Sequence, residues 1–484
     1  MLFLILIHYI WAIFTGLNLI YTFQIKEYRL DRFRSVAKET GVLRFLYTFK
    51  FRLPAFSLRN VLIVFLFLTA MSLLFLYSFE QKNVFDILAK MFFLAPLTSF
   101  VLVSIGVFFT SIPSTIIRSI IRFRAIKKVK KSKAIFIGIT GSYGKTSTKE
   151  YLAQILSSKF KVAKTPKNMN TDVGIALSIL RLLKPSTEIC IIELGAYRTG
   201  ELKTAASYIP FKYSILTGLG NQHVDLYGSR EALVKEETSP IVSLEEYCKA
   251  YVNFDSVTEN KVNLSRIQSV TFGTSKDADI KLIQTSSSTE GTNGIVQYHD
   301  KTFHIASQLL GVHSLENILP TIAIASDLGI DAQTIEKQIS IITPLNGKLS
   351  KHIGPNNSLV LHDGVNSNLN GFLAAIDVMR IFSHTKKIIM TQGIIELGVE
   401  KRESYVSILQ KLNNRNIEFF TTDKLFHTIK SNVQINTFND VSSMEKQIRN
   451  ILDEKSLLLI EGSFSKPILK QLIPETVNGS THYQ

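Results

Sequence analysis

The feature that most constrains this chain is a short glycine-bearing loop and what flanks it. Ala134 to Ile139 is an apolar run of β type, Thr140-Gly-Ser-Tyr-Gly-Lys-Thr146 follows, and Ser147 to Leu156 carries a helical pattern. Strand, glycine loop, Lys-Thr pair and helix, in that order, form an architecture that binds a nucleoside triphosphate. Gly141 and Gly144 let backbone N–H groups turn toward phosphate oxygens, and the helix N-terminus adds its positive end. Lys145 is placed for the β- and γ-phosphates and the Thr146 hydroxyl for Mg²⁺, with Ser142 and Ser147 beside them as nucleotide contacts. The loop is one residue shorter than the usual Gly-x4-Gly-Lys-Thr spacing. A purely structural turn is the competing reading.

Two further strand ends carry chemistry. Ile189 to Ile192 has the uninterrupted apolar character of a buried parallel strand, and Glu193 stands at its end. In doubly wound sheets such ends line the ligand crevice. A carboxylate there suits Mg²⁺, whose ligands are oxygens, although a capping or salt-bridged glutamate has the same appearance. His223 follows a second apolar run, Tyr213 to Leu219, and is a candidate metal ligand; a lone histidine is more often structural.

With 484 residues the chain is too long for one ordinary domain, and ~150 residues per domain suggests about three. Its formal charge is +16. Nine basic residues lie between Lys26 and Arg59 against three acidic ones, and eight more lie between Arg118 and Lys133 with no acid among them. Both clusters flank apolar runs, so the excess reads as a membrane feature and lends little support to nucleic-acid binding. The runs cover about 2–23, 61–79 and 91–117, each long enough for a ~30 Å hydrocarbon core. The expectation is three transmembrane helices, the N-terminus outside and both basic tracts cytoplasmic. Residues 42–58 suit a helix at the membrane interface, or a solvated linker, and 80–86 an outer turn. The first run lacks a basic leader and a small-residue cleavage site, so it is read as an anchor rather than a signal peptide. Cys190 and Cys248 have no ligand-like spacing, which excludes a zinc framework and fits a reducing compartment.

The motifs taken together resemble the Mur ligase family, in particular its branch that adds a dipeptide to a muramoyl tripeptide. Beyond the loop from Gly138 to Glu150, the likeness runs in order through Asn168 to Gly174, Glu193 to Ala196 with Gly200 and Glu201, and Thr217 to His223 with Gly228 and Ser229. It continues through Gly311, His313 and Asn317, then Asp363, Asn366 and Asn368, and Gly393 with Glu396 to Gly398. The resemblance implies an α/β fold: a central ATP-binding domain with a parallel sheet, residues 133–343, and a smaller Rossmann-like domain, 344–484, after a membrane segment, 1–132. A β-rich excursion is expected at 269–307, strands near Leu359, Ile388, Phe419 and Leu458, and a disordered tail at 478–484.

It also implies roles. ATP and Mg²⁺ are the cofactors, with Thr146, Glu193 and His223 on the metal. Asn317, Lys348, Asp363, Asn366 and Asn368 reach the nucleotide, and Asn168, Asn170 and Thr171 contact substrate. The partners are ATP, a peptide-bearing cell-wall precursor and membrane lipids, at the bacterial cytoplasmic membrane. The activity is peptide-bond formation through an acyl-phosphate; another amide ligase (poly-γ-glutamate type or acting on a lipid-linked peptide) and a non-catalytic nucleotide-binding scaffold are the alternatives. Many members carry a CO₂-modified lysine after the histidine, and that position is Glu237 here, with Lys235 nearby. Glu237 is read as supplying the negative charge directly, carbamylated Lys235 being the alternative. Lys348 stands for an arginine of the family's hinge, and Glu461 and Phe464 occupy places where basic residues are common. The small uridine-nucleotide domain that precedes the family's ATP domain is replaced by the membrane segment, so the acceptor is either held differently or lipid-linked.

Overall fold

The computed structural model describes residues 2–26, 28, 30, 33, 52–79, 84–166, 169–195, 199–220, 227, 229–365, 367–394, 397, 400–412 and 417–474. Asn168, Ala196, His223, Gly228, Asn366, Glu396, Gly398, most of the expected interface helix and the 478–484 tail lie outside these residues. The chain divides into two compact units, Met1–Ile121 and Arg122–Gln484.

The first unit is helical. Leu2–Ile25 and Leu58–Phe79 are helices, and Val84–Lys131 begins here and continues into the second unit. Ala12, Ile20, Phe23, Ile63, Phe67 and Val103 form its core. Among the described residues only Ala95–Lys131 is long and apolar enough to cross a membrane, while Tyr9–Ile25 and Leu58–Leu74 fall short of that length. The expectation of three transmembrane helices is therefore not supported. Residues 52–57 are not helical, so the part of the expected interface helix that is described is absent, and helix resumes at Val84 inside the expected outer turn. The basic tract from Arg118 to Lys131 is helical.

The second unit holds two sheets. The first contains β1 Ile135–Thr140, β2 Val162–Lys164, β3 Ile189–Glu193, β4 Phe211–Leu216, β5 Lys249–Asn253, β6 Gln268–Gly273, β7 Ile280–Ser287, β8 Thr292–Tyr298 and β9 Lys301–Ser307. Their order is β2-β3-β1-β4-β5-β6-β7-β8-β9. Pairing is parallel as far as β7 and antiparallel for β7-β8-β9, which is the β-rich excursion expected at 269–307. β1 and β3 read as unbroken apolar runs because helices cover both faces; Ile137, Ile139, Ile191 and Ile215 join Leu152, Ile155 and Ile322 in one core. Register sets Ile139 beside Glu193, so the tip of β3 stands next to the start of the glycine loop.

The second sheet contains β10 Ser350–Ile353, β11 Leu359–Asp363, β12 Lys386–Thr391, β13 Ile417–Thr421, β14 Gln434–Thr437 and β15 Ser456–Glu461. Its order is β10-β11-β15-β12-β13-β14, parallel except for β10. The four expected strands are present; β10 and β14 are additions, each four residues long. The carboxyl ends of β11 and β15 bring Asp363 and Glu461 into register.

Candidate nucleotide and metal site

The glycine loop joins β1 to the helix Lys145–Leu156. Gly141 has φ 130°, and a Cβ on it would come within 2.9 Å of the Gly218 carbonyl oxygen. Gly144, φ 80°, ends the loop at the helix N-cap position. Neither place accepts a side chain without strain. No side chain caps that helix, so its first-turn N–H groups are left for an anion. The end of β4 straps the loop: Ser142 N donates to Gly218 O at 2.7 Å, and the Thr217 hydroxyl reaches the carbonyls of Thr140 and Tyr143. The Lys145 ammonium turns back onto the Gly141 carbonyl.

Glu237 supports the loop from beneath. It lies on the helix Arg230–Val242, is 4% exposed, and its Oε2 accepts the Thr140 hydroxyl at 2.8 Å and the Gly141 N–H at 2.9 Å. Glu236, its neighbour, instead accepts the N–H groups of Gly200 and Leu202 at the start of the helix Glu201–Ala206. Lys235 is exposed, two residues and so ~200° around the helix from Glu237. The reading of Lys235 as the modified, catalytic lysine is corrected by this geometry: its side chain faces away from the loop.

Glu193 gathers the second half of the site. The Thr146 hydroxyl donates to its Oε1 at 3.1 Å, Asn170 Nδ2 reaches Oε1 at 3.3 Å, and Lys149 Nζ pairs with Oε2 at 2.9 Å. Its backbone N–H is held by the Thr165 hydroxyl at 3.0 Å. Burial pushes the Glu193 carboxyl pKa up, but Lys149, then Lys145 and the Thr146 bond, outweigh it and hold the group below its usual range. It is therefore ionised at neutral pH. A threonine hydroxyl and an ionised carboxylate oxygen 3.1 Å apart are hard oxygen donors and fit Mg²⁺. Lys149 occupies the other oxygen, so one carboxylate oxygen is offered to the ion.

A cavity of about 300 Å³ joins this loop to the second sheet. Tyr143, Gly144 and Ser147 line one wall, and Lys348, Asp363 and Asn368 the other. Asn317 and Glu316 stand between them at the end of the helix Val312–Glu316. Asn317 Nδ2 donates to His313 O at 3.3 Å. Burial and the Asp255 charge push the Glu316 carboxyl up to about 7. Burial pushes His313 down to about 4, so it is neutral at pH 7. Lys348 donates to Val365 O at 2.7 Å; burial lowers its pKa, partly offset by Asp363 and Glu461.

The structure thus brings together Gly141, Ser142, Gly144, Lys145, Thr146, Ser147, Glu193, Asn170 and Glu237 around the loop, and Asn317, Lys348, Asp363 and Asn368 around the cavity. Thr171 caps the helix Asp172–Leu182, accepting Gly174 N–H at 3.3 Å, and Asn368 caps Leu369–Ile381, accepting Gly371 N–H at 2.8 Å. Sequence reading missed Lys149, although its spacing from Thr146 and Lys145 puts all three on one helix face. Thr165, Glu236 and Glu316 carried no signal, because their partners are distant in sequence.

Residues 139–325 match the Mur ligase middle domain. The UDP-N-acetylmuramoyl-tripeptide--D-alanyl-D-alanine ligase of Treponema pallidum is 29% identical over 281 residues, 58% of this chain and 59% of that protein. The enzyme of the same name from Escherichia coli is 24% identical over 336 residues, 68% and 74% of the two chains. The chain spans less than two thirds of the length of the Treponema relative and of the Bacillus subtilis one, 59% and 56%. Among solved structures, MurF from Acinetobacter baumannii aligns with TM-score 0.65 and 19% identity over 74% of this chain and 81% of its own. The MurF ligase of Thermotoga maritima in complex with ADP aligns with TM-score 0.65 and 23% identity over 73% and 82%. These two likenesses establish the fold.

Proposed function

We propose that this chain is a member of the Mur ligase family and an ATP-dependent ligase that joins a carboxylate to an amine through an acyl-phosphate. The observation that carries the reading is the meeting of Thr146, next to Lys145, with the Glu193 carboxylate, on a loop whose Gly144 and Ser147 line a cavity that Lys348, Asp363 and Asn368 line from the other side. Its substrates are read from the curated relatives: D-alanyl-D-alanine as the amine and a muramoyl tripeptide as the carboxylate. We read three segments, 1–132, 133–343 and 344–484, as helical membrane segment, ATP-binding domain and C-terminal domain.

In this reading the backbone N–H groups of the glycine loop and Lys145 hold the triphosphate and neutralise charge as the γ-phosphoryl passes to the substrate carboxylate. Thr146 and Glu193, together with His223, would hold Mg²⁺, which would supply charge neutralisation at the phosphates. Asn317, Lys348, Asp363, Asn366 and Asn368 hold the nucleotide from the second sheet, and closure of that wall excludes water before the amine attacks. Asn168, Asn170 and Thr171 stand on the substrate side. Glu237 fixes the loop and supplies a negative charge where relatives carry a modified lysine.

We also read the apolar helices of the first unit as a membrane anchor at the bacterial cytoplasmic membrane, with the ligase on the cytoplasmic side. The helix Ala95–Lys131 and the basic residues at its end support this. That helix also favours a second reading, in which the acceptor is lipid-linked and presented at the membrane surface. The deciding experiment measures phosphate release from ATP by the full chain in lipid nanodiscs, with uridine-nucleotide-linked and lipid-linked tripeptides as acceptors and D-alanyl-D-alanine as amine. Release that requires both acceptor and amine supports a ligase, and the preferred acceptor separates the two readings. Release independent of both refutes it, and so does loss of none of it in Lys145→Ala.

A further inference from the structure

We propose that Arg122 and Lys128, near the end of the helix Val84–Lys131, are positioning residues for the magnesium site: they grip the helix Asp172–Leu182 at both ends and so hold Asn170 against Glu193. The proposal rests on the reading of Glu193 and Thr146 as magnesium ligands, and it adds a control on them from outside the phosphate loop.

Both residues and the groups they touch lie within the second unit. The Arg122 guanidinium donates from Nε, at 3.0 Å, and from Nη2, at 2.5 Å, to Oδ2 of Asp172, the first residue of the gripped helix. Tyr208 takes the other oxygen, its hydroxyl donating to Oδ1 at 3.2 Å. Burial, then the Asp172 charge, push the Tyr208 pKa well above its usual value, so the hydroxyl keeps its proton and remains a donor. At the far end the Lys128 ammonium donates to the Leu180 carbonyl at 2.6 Å, one of the last-turn oxygens that find no partner within a helix. A carboxylate at the start and a cation at the end both suit the helix dipole. Ala125 and Val129, which share the Arg122 face by helical spacing, are buried, whereas Arg124, Lys127 and Lys131 are exposed. The basic tract therefore does not coat the domain evenly; its ties come from one side.

What the grip holds is the approach to Glu193. Thr171 caps the helix and Asn170 precedes it. The Asn170 carbonyl accepts the Gly195 N–H at 2.8 Å, and its Nδ2 donates at 3.3 Å to Glu193 Oε1, the oxygen that also accepts the Thr146 hydroxyl. A Cβ on Gly195 would stand 2.7 Å from the Asn170 side chain, so the segment fits without slack. Asp172 follows Asn170 directly across the cap, and a shift of its carboxylate is passed to the amide that orients the metal ligand. Holding both ends, rather than one, stops the helix from pivoting about its centre. The Arg122 side chain is 40% exposed, so its ion pair adds little to stability and acts on position instead.

The test measures binding rather than turnover. On the full chain in nanodiscs, magnesium is titrated at a fixed concentration of a fluorescent, non-hydrolysable ATP analogue, and amide hydrogen exchange is followed at Gly174 and Ile175 without nucleotide. Arg122→Ala raises the half-maximal magnesium concentration roughly 2-fold and speeds exchange at the helix start several-fold. Lys128→Met acts in the same direction to a smaller degree, and Arg122→Lys, which keeps the charge, stays near wild type. Because Arg122 acts through Asn170, Arg122→Ala adds nothing to Asn170→Ala in the double variant, where two independent effects would multiply. Thermal melts identify the folded variants. A magnesium requirement unmoved in folded Arg122→Ala and Lys128→Met overturns the proposal, as does multiplication of the two effects in the double variant. Wild type that binds the analogue alike with and without magnesium refutes the magnesium reading, and the proposal falls with it.

Discussion

Glu237→Ala is the substitution that most directly tests how the phosphate loop is held. One carboxylate oxygen, on a side chain 4% exposed, accepts both the Thr140 hydroxyl and the Gly141 N–H. Hydrogen bonds to a charged group contribute about 1.5–3 kcal/mol each, and these two share an acceptor, so their sum is not additive. Alanine also leaves the Gly141 N–H buried without its partner. The expected loss is about 3 kcal/mol in denaturant unfolding of the full chain. Glu237→Gln keeps an oxygen in place and loses the charge, so its cost is about 1 kcal/mol. Because Gly141 begins the loop, the alanine variant also binds an ATP analogue roughly 10-fold or more weakly, while the glutamine variant stays closer to wild type. If Glu237→Ala unfolds at the wild-type denaturant midpoint and binds nucleotide normally, the carboxylate does not organise the loop and the argument fails.

Lys149→Met removes the buried partner of Glu193 and leaves a carboxylate with an uncompensated charge, a loss of about 3–5 kcal/mol by chemical denaturation. Asn170→Ala frees Glu193 Oε1 of one donor at 3.3 Å; since the bond is long, the magnesium concentration for half-maximal nucleotide binding shifts by roughly 3-fold, less than the ~10-fold or more typical of a group that orients a metal ligand. Glu316 has its pKa raised to about 7, so the folded protein binds that proton more tightly than the unfolded chain does. Stability therefore falls as pH rises from about 4.5 to about 7, by up to about 3 kcal/mol, and Glu316→Gln removes that part of the slope in melts taken across the range. His313 runs the other way: its pKa is lowered to about 4, so its contribution is full above about 6.5 and is lost as pH falls toward 4, and His313→Gln flattens that acid limb.

What was legible in the sequence is what local patterning encodes. The loop, its strand and its helix form one continuous stretch, and a carboxylate ending an apolar run is a strand tip, so Lys145, Thr146 and Glu193 were found together. Partnerships that close across long loops were not legible. Thr140 and Glu237 are separated by 97 residues and Asp363 and Glu461 by 98; the packing of the helix Arg230–Val242 on β1 joins the first pair and the pairing of β11 with β15 sets the second in register. One side chain can also suit two tasks. Thr171 and Asn368, read as ligand contacts, each offer an oxygen to the N–H groups of a helix start, a role that sequence does not separate from ligand binding. Lys235 failed for a different reason: spacing along the chain was matched, but the helix turn sends it outward. The membrane reading rested on run length, and among the described residues only one of the three helices meets it.

The two walls of the cavity differ in charge. On the first sheet, the loop N–H groups and the uncapped helix start are left open for an anion and Lys145 rests on the Gly141 carbonyl, with Glu193 and Glu237 each tied to the scaffold by its own donors. On the second sheet, Asp363 and Glu461 face the same space with less compensation than they need. A proton relieves that imbalance: burial pushes the Asp363 carboxyl up to about 6, and burial together with the Asp363 charge pushes Glu461 well above its usual range, so the second wall sheds negative charge as pH falls while the ionised Glu193 keeps its own.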